Sequence, residues 1–324
     1  MDRSNKVIFK ITNKIKKAFS FSEVGVLIAL ILISVVLAVL SPQFLTYRNL
    51  INILLQISII FIIATGMTFV IITGGIDLSV GSIVAVVGLI VALLIKQYNL
   101  NVTLAVIIGL LLGSFLGAVN GIMIAKFKIP AFIATLGMMS IGRGLTYTIS
   151  GGQCIFTLPE NFLLFASNIG PVSIPVIIMI IVSLIAAYVL KFTRLGRYTY
   201  AVGGNETAAT LSGINVDLNK IIVYTISGLT CAIGGIILTA RLDSATPVAG
   251  VGYELDVIAA VIIGGTSLLG GQGNVLGTLL GALIIGVVSN GMNLLGVASG
   301  PQEIVKGLII VVAVGIDILR KRRF

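Results

Sequence analysis

Residues 50–73 read LINILLQISIIFIIATGMTFVIIT, a run without a single charged side chain. A helix of about 20 apolar residues crosses the roughly 30 Å hydrocarbon core of a bilayer. The rest of the chain has the same character, since 57% of its 324 residues are hydrophobic and 10% are charged, and its mean hydropathy is +1.17. A soluble domain has about a quarter of its residues charged. The sequence therefore predicts an all-α, polytopic membrane protein.

Ten apolar segments are predicted along the chain. The eighth is short and rich in glycine, so we expect it to be either broken or re-entrant. Glycine is frequent throughout, with 38 residues, which favours close helix contacts in a membrane. The segments are 24–41, 50–73, 80–96, 101–124, 131–149, 170–191, 219–241, 255–270, 274–298 and 301–319.

The basic residues predict the orientation, because loops rich in Lys and Arg stay on the cytoplasmic side. With both termini inside, sixteen Lys and Arg fall on the cytoplasmic side, while Arg48, Lys96 and Arg241 fall outside. Arg143 and Lys306 lie within or at the edge of segments and are expected to snorkel to an interface. This distribution predicts a multi-pass protein of a bacterial plasma membrane. It also accounts for the net charge of +10 without a nucleic-acid partner.

Three regions follow from this topology. Residues 1–23 are predicted to form a basic cytoplasmic arm, 24–319 a single transmembrane domain, and 320–324 a basic cytoplasmic tail. The arm and first segment are read as a retained helix rather than a cleaved signal. A long polar loop, 192–218, divides the membrane domain on its cytoplasmic side.

Two stretches suggest an internal duplication of the helical core. FVIITGGIDLSVGS (69–82) and AAVIIGGTSLLGGQGN (259–274) each end an apolar run with Gly-Gly and a polar turn. Each precedes a similar helical sequence, LLGSFLGAVNGI from Leu111 and LLGALIIGVVSNGM from Leu279. Such repeats are common in transporters, although small residues recur in any packed membrane bundle.

The polar loop contains signals for a short helix. Asn205 is a good N-cap, Glu206 suits the positive helix terminus, and Gly213 can end the helix. Gly203 and Gly204 are expected to break the chain just before it. These features predict a cytoplasmic helix of about two turns, suited to insertion into the groove of a partner, although an ordinary solvated loop remains an alternative.

Uncharged polar groups within the apolar segments are candidates for a translocation path, because a polar solute needs hydrogen-bond partners but only weak ones. Asp77 is a further candidate because a carboxylate near the membrane boundary is energetically costly and usually has a functional role. Asn, Thr and Ser also bond helices to one another, and Asp77 could instead cap the third segment, so both readings stay open. The candidates are Asp77, Asn120, Thr135, Ser140, Asn290 and Asn293.

No catalytic, metal or cofactor site is predicted. The chain has no histidine, no paired carboxylates suited to catalysis, and no G-x-x-x-x-G-K-[ST] phosphate loop. This chain is therefore not expected to hydrolyse ATP by itself. Outside the membrane, Asp243 and Glu254 contribute to an acidic tendency that could dock a basic partner surface.

Four stretches resemble the membrane permease subunits of ribose-type sugar ABC importers, in the branched-chain amino acid/ribose permease superfamily. They are TGGIDLSVGS (73–82), FKIPAFIATLGMM (127–139), GRYTYAVGGNETAATLSGINV (196–216) and YELDVIAAVIIGGTSLLGGQGNVLGT (253–278). The resemblance covers residues 50–320 in order. It implies a permease that works by alternating access and is driven by a separate ATPase.

The resemblance also implies partners. These are a cytoplasmic ABC ATPase with two nucleotide-binding cassettes, an extracytoplasmic sugar-binding protein, a second permease copy in a homodimer or heterodimer, and the sugar itself. A stand-alone facilitator or ion-coupled carrier and an intramembrane enzyme are the alternative classes. The polar loop then matches the segment that couples the permease to its ATPase, through Gly196, Arg197, Gly203, Gly204, Asn205, Glu206, Ala208, Ala209, Leu211 and Gly213.

Overall fold

The structure, a computed structural model, describes residues 21–321, so most of the predicted basic arm and residues 322–324 of the tail lie outside it. Thirteen α-helices occur within this range. They are α1 Phe21–Leu40, α2 Tyr47–Ile72, α3 Val80–Lys96, α4 Val102–Ala125, α5 Ala131–Ser150, α6 Glu160–Leu163, α7 Ile174–Phe192, α8 Arg194–Gly204, α9 Glu206–Leu211, α10 Val216–Leu242, α11 Tyr253–Ile263, α12 Val275–Leu294 and α13 Ser299–Lys321.

Helix α2 is the centre of the bundle. Within its most apolar 18-residue window, 89% of the residues are buried inside the protein. Five helices of the described chain, α2, α4, α7, α10 and α12, are long and apolar enough to cross a membrane, and α1 and α3 contain shorter apolar stretches. The helical membrane fold is confirmed, whereas ten crossing segments remain a prediction.

Helices α4 and α10 pack backbone to backbone through glycine. Gly113, Gly117 and Gly121 recur every fourth residue along α4 and face α10. A Cβ on Gly228 of α10 would lie 2.9 Å from the Cα of Gly117. Small residues allow this close approach. In lipid the hydrophobic effect does not drive helices together, so their association depends on such packing contacts. α12 contacts α11 in the same way, because a Cβ on Gly281 would overlap the carbonyl oxygen of Ala260.

Two segments interrupt helices inside the bundle, and we call residues 73–79 the helix break and residues 264–274 the glycine turn. Both begin with the same backbone geometry. Gly74 has φ +79° and Gly265 has φ +88°, and the amides of Gly74 and Gly265 donate to the carbonyls of Ile71 at 2.9 Å and Ile262 at 2.8 Å. Glycine adopts this left-handed conformation without a steric penalty.

The glycine turn shortens the eighth segment. Helix α11 ends at Ile263, so the prediction of a segment over 255–270 is wrong at its carboxyl end. Its 11 residues extend about 16 Å, roughly half the hydrocarbon thickness. The early end of α11 agrees with the prediction of a broken or re-entrant segment.

The suggested duplication is reproduced in the two glycine-led turns but not in the order of the following helices. Helix α3 lies between the helix break and α4, whereas α12 follows the glycine turn directly. The sequence match between α4 and α12 is therefore not a match of position along the fold.

A small lobe covers one end of the bundle. It contains α6 and the strands β1 Ile155–Phe156, β2 Asn168–Ile169, β3 Val172–Ser173 and β4 Ser244–Ala245, in which β1 pairs with β4 and β2 with β3, both antiparallel. The predicted sixth segment, 170–191, therefore begins with β3, and α7 starts only at Ile174. At the opposite end of the bundle lie the glycine turn and residues 193–215.

Candidate functional site: the polar hairpin and the helix break

The polar loop folds into two short helices, α8 and α9, which we call the polar hairpin. Helix α9 agrees with the prediction, because the side chain of Asn205 accepts a hydrogen bond from the amide of Ala208 at 2.9 Å. Gly213 follows α9 with φ +81°, which suits a glycine C-terminal stop. Helix α8 was not predicted. Gly203 and Gly204 are its last residues rather than a chain break.

The ten residues proposed for coupling divide between two faces of the hairpin. Arg197, Gly204, Asn205, Ala208 and Gly213 are exposed. Leu211, at 85%, is the most exposed large hydrophobic side chain among the described residues. Gly196 and Ala209 are buried, and Gly203 faces the bundle. Glu206 is half exposed and forms an ion pair within the chain.

Gly203 joins the hairpin to both interrupted segments. A Cβ at this position would overlap the carbonyl oxygen of Ile72, the last residue of α2, and would lie 2.6 Å from the amide nitrogen of Gly271. The amide of Gly271 itself donates to the Ile72 carbonyl at 2.8 Å. The hydroxyl of Tyr200 donates to the carbonyl of Gly273 at 2.7 Å. Backbone contacts therefore hold α8 against the start of the helix break and against the glycine turn.

The first turns of α10 hold the other side of the hairpin. The side chain of Asn219 donates to Thr199 of α8 at 3.4 Å. The ammonium of Lys220 lies 2.7 Å from the carboxylate of Glu206. Val202, Ala209 and Val216 form a small apolar cluster between the hairpin and α10.

Asp77 lies at the centre of the helix break and is completely buried. One carboxylate oxygen accepts hydrogen bonds from the amide and hydroxyl of Ser79, at 3.0 and 2.6 Å. The other oxygen accepts from the hydroxyl of Ser227 at 2.8 Å. Ser227 is eleven residues into α10, about 16 Å along its axis. The structure therefore places Asp77 inside the bundle, and its position near the membrane boundary stays a prediction.

Asn120 and Thr135 belong to the same polar cluster. The amide of Asn120 donates to the hydroxyl of Ser79 at 2.8 Å, and its buried carbonyl oxygen has no partner among the described residues. The hydroxyl of Thr135 donates to the carbonyl of Ala131 in its own helix at 2.8 Å and also lies 3.2 Å from the carbonyl oxygen of Ile76. Tyr224 of α10 approaches the same carbonyl, with its hydroxyl at 3.4 Å. The structure thus brings together three of the six path candidates around residues 76–79.

The other three candidates lie elsewhere. Asn290 and Asn49 of α2 exchange two side-chain hydrogen bonds, of 2.9 and 3.0 Å, which is the pattern of interhelical bonding. Asn293 is exposed and accepts from Gln302 at 2.8 Å. Ser140 is exposed, with its hydroxyl on the carbonyl of Leu136 in its own helix.

A cavity of about 270 Å³ opens beside the hairpin. Its wall includes Gly75 and Tyr224 at the helix break, and Lys128, Glu206 and Lys220. Lys128 also donates to Asp217 at 2.9 Å, and this hydrogen bond raises the pKa of the Lys128 ammonium. The cavity therefore leads from the charged end of the bundle to the segment that carries Asp77.

The two basic residues expected to snorkel are instead engaged inside the protein. The guanidinium of Arg143 donates to the carbonyls of Ala249 at 2.6 Å and Pro247 at 3.2 Å. Lys306 lies 3.0 Å from Asp256 and 3.5 Å from Glu303.

The two carboxylates of the acidic docking hypothesis differ in exposure. Asp243 is exposed, and its carboxylate accepts a hydrogen bond from the amide of Leu158 at 2.8 Å. Glu254 is half-buried, and one of its carboxylate oxygens is fully buried.

Several site residues were missed from the sequence, namely Ser79, Lys220, Tyr224 and Ser227. The last three recur at i, i+4 and i+7 on α10, so they share one helix face. Polar residues at this spacing in an apolar segment would have indicated a polar helix face, and this was the signal available in the sequence.

The chain matches the family model described as branched-chain amino acid transport system / permease component, over residues 49–314. This range covers most of the helical bundle, with the polar hairpin and the helix break inside it. The protein belongs to this family of transport permeases.

Individual relatives are sugar permeases. The chain is 52% identical to the ribose import permease protein RbsC of Escherichia coli (strain K12), over 90% of this chain and 92% of that protein. It is 46% identical to the ribose import permease protein RbsC of Bacillus subtilis (strain 168), over 91% and 92%. It is 39% identical to the D-allose transport system permease protein AlsC of Escherichia coli (strain K12), over 93% and 94%. No solved structure gives a significant match. The resemblance to sugar import permeases is confirmed.

Proposed function

We propose that this chain is the membrane permease subunit of an ATP-binding cassette importer that moves a monosaccharide into the cytoplasm, with ribose as the first candidate. The observation that carries the proposal is the 52% identity to a ribose import permease over 90% of the chain. The D-allose relative is more distant, at 39% identity. Ribose is therefore a better candidate substrate than allose.

The polar hairpin is proposed as the contact with a separate cytoplasmic ATPase that has two nucleotide-binding cassettes. Its outer face supports this role, because Leu211 is 85% exposed on a capped helix, and a partner that buried this side chain would gain apolar contact area. Arg197, Gly204, Ala208 and Gly213 are exposed beside it. Its inner face is fixed to α2, α10 and the glycine turn, so a displacement of the hairpin reaches the bundle.

The translocation path is proposed to pass the helix break, with Asp77, Asn120 and Thr135 near it. A second permease copy, identical or related, is proposed to complete the path. Helix α5 supports this, because Ser140 is exposed on it and a Cβ added at Gly137 or Gly144 would meet no described atom within 4 Å. Alternating access then consists of two packings of the bundle with different openings.

The orientation follows the distribution of basic residues. We place the hairpin, both termini and the regions 1–23 and 320–324 in the cytoplasm of a bacterium, with 24–319 as one membrane domain. The lobe around α6 then faces outward, where a sugar-binding protein would deliver the substrate.

The test is reconstitution of the chain in liposomes with its ATPase and sugar-binding protein, followed by uptake of labelled ribose, allose and arabinose. We expect ATP-dependent uptake with ribose preferred. Preference for another monosaccharide would change the substrate but keep the class, and absence of uptake for every sugar would contradict the proposal.

A further inference from the structure

One face of α10 contacts the polar hairpin at one end and the helix break at the other. Lys220, Tyr224 and Ser227 lie at i, i+4 and i+7, so their side chains project from the same side of the helix. Lys220 pairs with Glu206 of α9 at 2.7 Å. Tyr224 approaches the carbonyl of Ile76 at 3.4 Å, and Ser227 donates to Asp77 at 2.8 Å.

Glu206 is directed toward this face. It is the only charged residue of α9, and its partner Lys220 keeps just 16% of its side chain exposed. Glu206 and Lys220 both line the cavity that reaches Gly75 and Tyr224. The ion pair therefore forms part of the wall between the hairpin and the helix break.

We propose that Glu206 is a positioning residue of the transport cycle, whose ion pair with Lys220 transmits displacement of α9 to α10 and from there to the helix break. This inference rests on the proposed function. It changes the role of Glu206 from a contact with the ATPase to a contact within the permease.

Contact with the ATPase and contact with Lys220 predict different effects of removing the negative charge of Glu206. If Glu206 contacts the ATPase, its neutralisation weakens assembly of the complex. If it acts through Lys220, the complex assembles and hydrolyses ATP but moves less sugar for each ATP. The Asn205 cap and the apolar cluster around Ala209 do not depend on this charge, so α9 is expected to keep its fold without it.

The experiment uses the reconstituted complex with the variants Glu206→Gln, Lys220→Met and the exchanged pair Glu206→Lys with Lys220→Glu. Three quantities are measured: ATPase binding to the permease, ATP hydrolysis and labelled ribose imported per ATP. Glu303→Gln is the matched control, since Glu303 is also an exposed carboxylate and pairs with a lysine, Lys306, at 3.5 Å in α13. Each single variant is expected to lower ribose imported per ATP by about fivefold or more, with ATPase binding unchanged.

The exchanged pair restores the attraction with reversed signs and is expected to recover transport per ATP to within about twofold of the native complex, short of full recovery because lysine is unfavourable at a helix N-terminus. Recovery also excludes a general folding defect in the single variants. Unchanged transport per ATP in Glu206→Gln would overturn the inference, as would lost ATPase binding or no recovery in the exchanged pair. Native uptake without the ATPase would instead overturn the proposed function.

Discussion

The backbone of Gly203 lies against the carbonyl group of Ile72 so closely that a Cβ at residue 203 would overlap the carbonyl oxygen. Ile72 is the last residue of α2, and the helix break begins immediately after it. The two backbones touch directly, so no intervening side chain can absorb a displacement. The hairpin and the entry to the helix break are therefore expected to move together.

Replacing Gly203 with alanine tests this contact. The added methyl has to displace the backbone of Ile72 or Gly271, and overpacking of this kind costs about 1–3 kcal/mol. We expect a hairpin displaced from α2, with ATP hydrolysis retained and sugar uptake strongly reduced. The matched control is Gly307→Ala in α13, because a Cβ there meets no described atom within 4 Å. Equal uptake by both variants would contradict the proposed role of Gly203.

The network around Asp77 predicts a stability effect. Asp77→Ala removes the acceptor of three buried hydrogen bonds from Ser79 and Ser227, and a buried unsatisfied group costs about 1–3 kcal/mol. We expect a lower melting temperature in detergent together with reduced uptake. Thr103→Ala, at an exposed position, serves as the control and should change stability by less than about 0.5 kcal/mol. If the two variants melt at the same temperature, the network does not stabilise the break.

The Asn49 and Asn290 pair predicts a structural role without a contact to sugar. A double-mutant cycle with Asn49→Ala and Asn290→Ala should give a coupling energy between about 0.6 and about 1.7 kcal/mol, the average and the maximum measured for hydrogen bonds between membrane helices. The KM for sugar should stay unchanged in Asn290→Ala. A KM raised several-fold in this variant would contradict the structural role and support a contact between Asn290 and the sugar.

The proposed orientation predicts which side of the membrane exposes Leu211. A Leu211→Cys variant, with Cys154 replaced by serine and the buried Cys231 retained, should react with a membrane-impermeant thiol reagent in inside-out vesicles. It should not react in right-side-out vesicles. Cysteine at exposed Phe156, in the lobe, is the control and should show the reverse. Labelling of residue 211 from the outside would reverse the topology.

The membrane class, most helix positions and the cap of α9 could be predicted from the sequence, because each depends on local composition. Asn205, Glu206 and Gly213 are helix signals within nine consecutive residues, and tertiary contacts do not alter them. The apolar runs likewise specify helices whatever their neighbours are.

The depth of Asp77 could not be predicted in this way. Its burial depends on α10 and α4, which supply Ser227 and Asn120 from 150 and 43 residues away in the chain. The same applies to Gly203, whose neighbours Ile72 and Gly271 are distant in sequence. Gly-Gly reads locally as a chain break, and only the close contact explains why it ends a helix here.

The most direct test of the central claim is ribose uptake by proteoliposomes that contain the chain and its sugar-binding protein, with and without the ATPase and ATP. We predict that uptake requires both the ATPase and its hydrolysis of ATP, and that it accumulates ribose against a gradient. Equal uptake without the ATPase, reaching only equilibrium, would identify a facilitator and contradict the account.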